Sequence, residues 1–271
     1  MGKRKPWCKI MASNTEKIEM LPKVGHYDFI AEPFHCDFQS RIFMGHMGNA
    51  MLNAADFHSN ERGYGMHYLN TINKTWVLSR LAIEMRDMPK AYDKFSIDTW
   101  VEGAMKFFTS RNFAVANHDG SHVYGYGRSI WALIDTETRQ PVDLLNIHNG
   151  LILDYIEAEK KCPIDNPGRV KMNKDAEPVR SINTYYNDVD MNGHINSIKY
   201  IEHILDLFSL EWHRSHILKR FDIAYVAESY QGDKLNFYKQ HIDENECCVR
   251  VTKEKEEEVE VVRCSIKFLN R

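Results

Sequence analysis

The stretch Asp190-Met191-Asn192-Gly193-His194-Ile195-Asn196 precedes a segment whose apolar residues recur at helical spacing. In the first half of the chain, Gly45-His46 precedes a helical segment in the same way. A second match joins Asp93-Lys94-Phe95 to Asp233-Lys234-Leu235, and each of these opens a segment rich in strand-forming residues. Two matches in the same order indicate an internal repeat, and the repeat decides the fold.

The two halves also share one predicted order of elements: a strand, a long helix and several further strands. The helices are predicted at 47–62 and 195–212, with a shorter amphipathic helix at 151–161. The strands are predicted at 26–38, 74–85, 95–101, 106–116 and 123–135, and then at 179–186, 220–227, 234–241, 247–252 and 259–269. A long helix wrapped by a curved antiparallel sheet, made twice in tandem, is an α+β double hotdog.

This repeat predicts four segments along the chain. Residues 1–22 form a loose N-terminal tail, 23–161 an N-terminal hotdog, 162–177 a linker, and 178–271 a C-terminal hotdog. The linker is predicted from its prolines and its charged residues.

Composition excludes several classes of protein. The chain has 271 residues, 43% of them hydrophobic, and a formal net charge of −3. No apolar run is long enough to span a membrane, and the charge balance argues against a nucleic-acid partner. Six cysteines without a C-x-x-C pair predict a reduced, cytoplasmic chain without a structural metal.

Polar residues near the second helix have no counterpart in the first half. An overlay of the halves places Asp190, Asn192 and Glu228 opposite three apolar residues: Ile42, Met44 and Met88. The overlay therefore predicts that the second half carries carboxylate, amide and imidazole chemistry and that the first half holds something apolar.

Two simpler interpretations of this segment explain less. Asp188 to Ile195 matches the start of a calcium loop, but the twelfth position is Lys199, where such a loop needs a bidentate Glu. Asp and Asn are also favoured as helix caps, and capping would explain one of these residues. It would not explain Asp190, Asn192, His194 and the distant Glu228 together.

Four ordered motifs resemble those of the plant-type acyl-acyl-carrier-protein thioesterases. They are Asp190 to Asn196 followed by Lys199-Tyr200-Ile201, Thr75-Trp76-Val77-Leu78-Ser79-Arg80, Asp98-Thr99-Trp100-Val101, and Ile223-Ala224-Tyr225-Val226-Ala227-Glu228. The resemblance covers about residues 25 to 270. It implies a bacterial member with the double hotdog fold, no cofactor, and hydrolysis of fatty acyl chains from the acyl carrier protein, a reaction that ends or diverts fatty acid synthesis.

The resemblance assigns catalysis to four residues: Asp190, Asn192, His194 and Glu228. The family often has Cys after that glutamate, and this chain has Ser229. A thiol nucleophile is therefore impossible at this position, which favours direct attack by water. Glu228 or Asp190 would take the proton from that water.

Two further sets of residues are expected to contact the substrate. The overlay predicts an acyl slot formed by Met44, Met47, Met51, Trp76, Met85 and Phe107. The carrier protein is acidic, so a basic docking patch is expected, with candidates Lys74, Arg80, Lys106, Arg111 and Arg128.

Three alternatives stay open on the sequence: an acyl-CoA thioesterase, a hotdog enoyl-thioester hydratase and a non-catalytic acyl-binding module. Chain length, saturation and the choice between carrier and coenzyme A are not determined. A monomer and a homodimer are both compatible with the sequence.

Overall fold

The computed structural model describes residues 20–172 and 177–271, so most of the predicted tail and part of the predicted linker lie outside the described residues. Ten strands form one antiparallel sheet. Five strands come from the first half: β1 (Gly25–Ile30), β2 (Lys74–Met85), β3 (Lys94–Ala104), β4 (Phe108–Asn117) and β5 (Val123–Asp135). Five come from the second: β6 (Arg180–Asn183), β7 (His216–Tyr225), β8 (Lys234–His241), β9 (Glu246–Lys253) and β10 (Val259–Asn270).

The strand order shows the repeat directly. Across the sheet it is β1-β3-β4-β5-β2-β7-β10-β9-β8-β6, so the second half repeats the strand order of the first half in the reverse direction. They join where β2 pairs with β7, for example Ala82 with Asp222. The matched motifs at Lys94 and Lys234 open β3 and β8, which occupy equivalent places in the sheet.

Four α-helices accompany the sheet in the described part of the chain. They are α1 (Met44–Glu61), α2 (Met66–Leu69), α3 (Ser197–Leu205) and α4 (Leu210–Ser215). The long helices α1 and α3 pack against each other through two glycines. A Cβ on Gly45 would lie 2.8 Å from Glu202 Cγ, and one on Gly48 would lie 3.1 Å from Ile198 Cδ1. A larger residue at either position would therefore require the facing side chain of α3 to move.

Several element boundaries differ from the sequence-based predictions. Strand β1 ends at Ile30 because Pro33 opens a short 3₁₀ turn. Helix α1 begins at Met44, so the Gly45-His46 pair lies in its first turn rather than before it. The predicted helix at 151–161 is wrong: His148–Tyr155 forms 3₁₀ turns interrupted by left-handed Asn149 and Gly150.

The second long helix is shorter than predicted. The segment 195–212 forms α3 and α4, separated at 206–209. The Ser209 side chain accepts a hydrogen bond from the N–H of Trp212 and so begins a new helix there.

The structure also describes two features considered from the sequence: the pairing of the cysteines and the presence of membrane-spanning helices. The described cysteines are Cys36, Cys162, Cys247, Cys248 and Cys264, and they form no disulfide. None of the helices in residues 20–172 and 177–271 has the length and apolar character needed to cross a membrane. The predicted domain boundaries stay a prediction.

Candidate active site

A cleft of about 710 Å³ lies where the two halves meet. The first half contributes one face of α1 and the inward side chains of β2, β4 and β5; the second contributes residues 190–197 and 225–228. All four predicted catalytic residues line this cleft: Asp190, Asn192, His194 and Glu228. The sequence separates Glu228 from the other three, and the fold brings it to them.

Hydrogen bonds from polar residues of the turn before α3 hold that turn in its shape. Asp190 Oδ1 accepts hydrogen bonds from the backbone N–H groups of Asn192 at 2.8 Å and His194 at 3.2 Å. Gly193 has a φ of +80°, a conformation that costs other residues free energy. Asn196 then caps α3 by accepting from the N–H of Ile198 at 2.9 Å. This turn fixes the direction in which His194 leaves the backbone.

The imidazole and the distant carboxylate meet in the cleft. His194 Nε2 lies 3.4 Å from Glu228 Oε2, and the hydroxyl of Tyr230 donates to the same oxygen at 3.4 Å. The ring of Tyr230 packs edge-on against His194 with centroids 5.1 Å apart. The N–H of Ile195 donates to the carbonyl of Ser229 at 2.8 Å and ties the two segments together.

The first half of the chain supplies a cation that contacts Glu228. Arg139 follows β5 and its guanidinium forms an ion pair with the other oxygen of Glu228, Oε1. Arg139 itself has a φ of +61°. No sequence motif marks Arg139, so the sequence alone does not indicate its role. It is a single basic residue in a polar turn, 89 positions from its partner in the sequence.

Ser229, next to the glutamate, is buried. It is 1% exposed and does not line the cleft, because its neighbour Glu228 points into the cleft instead. Its hydroxyl therefore has no access to a substrate there. Within the described ranges, no group of three His, Cys, Asp or Glu side chains is close enough to hold a metal ion.

The structure corrects the predicted acyl slot. Trp76 lines the cleft, but Met44, Met47, Met51 and Met85 are almost fully buried in the core between α1 and the sheet. Phe107 lies in the β3–β4 turn and does not line the cleft either. The overlay could not separate core from cleft, because both demand apolar residues. The apolar wall consists of Leu52, Trp76, Val77, Leu78, Trp131 and Ile134.

The structure excludes one residue of the predicted docking patch, and the patch itself stays a prediction. Arg111 is 5% exposed and cannot contact a carrier surface. Lys74 and Arg128 are held in ion pairs with Asp135 and Glu102. Lys106 is exposed and Arg80 half-buried, so these two stay predictions.

Polar side chains line the part of the cleft next to β4, three strands across the sheet from β7. This polar floor consists of Asp56, Ser59, Tyr64, Thr109 and Arg111. Burial lowers the pKa of Arg111, and it raises the pKa of Asp56 above its ordinary value. Nothing in the sequence predicted a polar end to an apolar slot.

Comparison with known proteins agrees with this architecture. The acyl-ACP thioesterase N-terminal domain model matches residues 26–147, and the C-terminal domain model matches residues 171–270. An acyl-ACP thioesterase from Bacteroides thetaiotaomicron shares 49% identity and a TM-score of 0.84, covering 91% of this chain and 98% of that one. The 12:0-ACP thioesterase of Umbellularia californica shares the fold, with a TM-score of 0.80, 18% identity, and coverage of 93% and 99%.

Two plant proteins are similar over shorter segments. The palmitoyl-acyl carrier protein thioesterase of Gossypium hirsutum is 26% identical over 159 residues, 58% of this chain and 38% of that protein. The oleoyl-acyl carrier protein thioesterase of Coriandrum sativum is 23% identical over 175 residues, 61% of this chain and 47% of that protein. The matched segments therefore span less than half of these plant proteins.

Fold and site together define a tandem double hotdog protein with one polar site at the junction of its halves. The chain belongs to the acyl-ACP thioesterase family.

Proposed function

We propose that this protein hydrolyses the thioester of a fatty acyl-acyl carrier protein and releases the free fatty acid. The single observation that carries the proposal is the contact of His194 with Glu228 at 3.4 Å inside a cleft with an apolar wall. Family membership adds the substrate class: an acyl chain carried on the acyl carrier protein. Binding of an apolar chain alone needs no half-buried carboxylate, since burying a charge costs free energy.

Water is the nucleophile in this mechanism. Glu228 takes a proton from a water molecule aimed at the thioester carbonyl, because its Oε2 faces His194 and the cleft while Oε1 is held by Arg139. The water oxygen bonds to the carbonyl carbon, the carbon–sulfur bond breaks, and the proton reaches the leaving thiolate. His194 orients the reacting groups, and the positive end of the α3 helix dipole stabilises the developing oxyanion.

Asp190 has a different part in this scheme. Its Oδ1 is engaged by two backbone N–H groups, so it shapes the turn that presents His194. The amide of Asn192 is exposed at the cleft edge and positions the carrier-linked end of the thioester. The acyl chain lies along the wall formed by Trp76, Leu78 and Trp131.

The test is a thiol-release assay on the purified chain with acyl carriers of several chain lengths and the matching acyl-CoA esters. Hydrolysis releases a free thiol, which a colorimetric thiol reagent measures, and mass spectrometry identifies the acid. The chain's own cysteines are subtracted with a substrate-free blank. Glu228→Gln keeps the shape of the side chain and is expected to lower kcat by at least about 10²-fold.

The other outcomes distinguish the alternatives. Hydration of an enoyl thioester without thiol release would indicate a hydratase, and binding without turnover would indicate an acyl-binding module. Faster turnover of coenzyme A esters would indicate an acyl-CoA thioesterase. The acyl carrier protein as partner, the cytoplasmic location and the homodimer are predictions that this assay leaves for separate experiments.

A further inference from the structure

The polar floor lies where the far end of a bound acyl chain would be, and an unsubstituted chain has no polar group at that end. Thr109 and Arg111 lie on β4, and β4 is three strands from β7, whose end leads to Glu228. At about 4.8 Å per strand this separation is about 14 Å. Asp56 and Ser59 lie two to three turns along α1 from Asn49, which lines the cleft nearer the catalytic end. A chain that starts at Glu228 would reach the floor with its far end.

The floor contains polar groups that a hydrocarbon would leave unsatisfied. Thr109 is 6% exposed, and its hydroxyl has no hydrogen-bond partner within the part of the chain that the structure describes. Arg111 Nη1 donates to Thr99 Oγ1 at 3.2 Å, and no carboxylate of the described residues forms an ion pair with the guanidinium. Arg111 also contacts the Tyr64 hydroxyl, but a methyl terminus packed on the floor would bury the Thr109 hydroxyl without a partner and would offer the guanidinium no further acceptor, which is unfavourable.

The charged residues of the polar floor indicate which polar group of a ligand would bind there. Arg111 offers N–H donors, and Asp56, a carboxylate, lines the same region. A ligand carboxylate would be attracted by Arg111 but repelled by Asp56. A hydroxyl suits both, since its oxygen accepts from Arg111 and its hydrogen is donated to Asp56 or Thr109.

We propose that the polar floor formed by Asp56, Thr109 and Arg111 is a binding site for a hydroxyl group on the distal part of the acyl chain. The preferred substrates are then acyl carriers whose fatty chain is hydroxylated far from the thioester. This inference rests on the proposed hydrolysis and adds the substrate class to it.

The experiment compares matched pairs of acyl carriers, with an unsubstituted chain or a chain carrying a terminal hydroxyl, at 8, 10, 12 and 14 carbons. At one length the wild-type protein is expected to show kcat/KM at least about 10-fold higher for the hydroxylated chain. Isothermal titration calorimetry with the corresponding free acids measures the same preference without turnover.

Three variants test whether the polar floor causes the preference for the hydroxylated chain. Arg111→Met removes the charge, Asp56→Asn removes the carboxylate, and Thr109→Val removes the hydroxyl at nearly constant shape. Each is expected to reduce the preference, by about 3-fold or more for the mildest, Thr109→Val. Thr75→Val is the matched control: its hydroxyl is also buried without a partner among the described residues, but Thr75 does not line the cleft. If Arg111→Met does not fold, the two smaller changes still decide the question.

The two proposals fail in different ways. Equal kcat/KM for both chains at every length, with good turnover, would overturn the hydroxyl site and leave hydrolysis intact. A preference unchanged in Thr109→Val and Asp56→Asn would also overturn it. Absence of turnover on every carrier would overturn the proposed function, and the calorimetric comparison would still decide the hydroxyl site.

Discussion

Arg139 of the first half forms an ion pair with Glu228 of the second half inside the cleft. Each half therefore contributes one member of the pair, and neither half alone contains the complete group. Arg139 adopts a φ of +61° in its turn, a conformation that non-glycine residues rarely adopt without a structural or functional reason.

Arg139→Met is expected to lower kcat by about 10-fold or more, because Glu228 then loses the cation that fixes its orientation. Stability should change by less than about 1 kcal/mol, since the pair is partly exposed. Thiol release and urea unfolding measure the two effects. Arg214→Met removes an exposed ion pair with Glu211 on α4 and should leave both unchanged. Full activity in Arg139→Met would show that Glu228 does not need its cation.

Substitutions of Asp190 separate its structural role from a chemical one. Asp190→Asn keeps a side-chain oxygen for the N–H groups of Asn192 and His194, whereas Asp190→Ala removes it. If the residue only shapes the turn, Asn should retain most of kcat, and Ala should lose about 1 kcal/mol of stability and at least about 10²-fold in kcat. A loss in Asn equal to that in Ala would assign the proton transfer to the Asp190 carboxylate instead.

Gly193 is expected to be intolerant of a side chain for conformational reasons alone. Its φ is +80°, and an added Cβ would meet no atom within 4 Å. Gly193→Ala should therefore cost about 1 kcal/mol through backbone strain and reduce kcat by shifting His194. Gly168→Ala is the matched control, since its Cβ also meets open space and its φ is not in the left-handed region. Urea unfolding of both variants measures the difference, and equal stabilities would contradict the strain argument.

His58 should make stability depend on pH. It is fully buried, its Nε2 donates to the carbonyl of Lys23 and its Nδ1 accepts from Tyr64, and burial lowers its pKa from 6.5 to about 2. Protonation thus favours the unfolded chain. The stability that neutral His58 supports is complete above about pH 6.5 and is lost as the pH falls toward 2, at about 1.4 kcal/mol per pH unit.

His58→Gln removes this titration. Urea unfolding of wild type and variant at pH 7, 6 and 5 isolates the effect, because every other acid-sensitive group is common to both. The difference in unfolding free energy should shrink as the pH falls. A difference that stays constant with pH would mean that His58 takes up protons equally in the folded and the unfolded chain, which would contradict its lowered pKa.

The repeat could be predicted because local composition carries it. Strands β2, β5 and β8 lie within a residue of their predicted bounds, since β-branched and aromatic runs bounded by turn residues specify them. Helix ends were less accurate. These ends depend on local features that involve a few atoms, which are Pro33, the left-handed pair Asn149 and Gly150, and the helix cap at Ser209. Hydrophobic periodicity does not detect such features.

The candidate site was predictable only where a motif marks it. Asp190, Asn192 and His194 lie within five positions, and the resemblance to the family added Glu228. The methionines predicted to form the slot are core residues, and Arg111, predicted to be on the surface, lies in the cleft. Sequence pattern distinguishes apolar from polar positions, but it does not distinguish the core from the apolar wall of a cleft.

The duplication, the order of strands and helices, and the segment around His194 follow from the sequence, because each depends on residues near one another in the chain. The contact of Arg139 with Glu228, the place of Arg111 in the cleft, and the apolar side chains that border the cleft become visible in the folded chain alone. Those facts depend on the pairing of β2 with β7 and on the packing of α1 against α3, which join residues far apart in the chain.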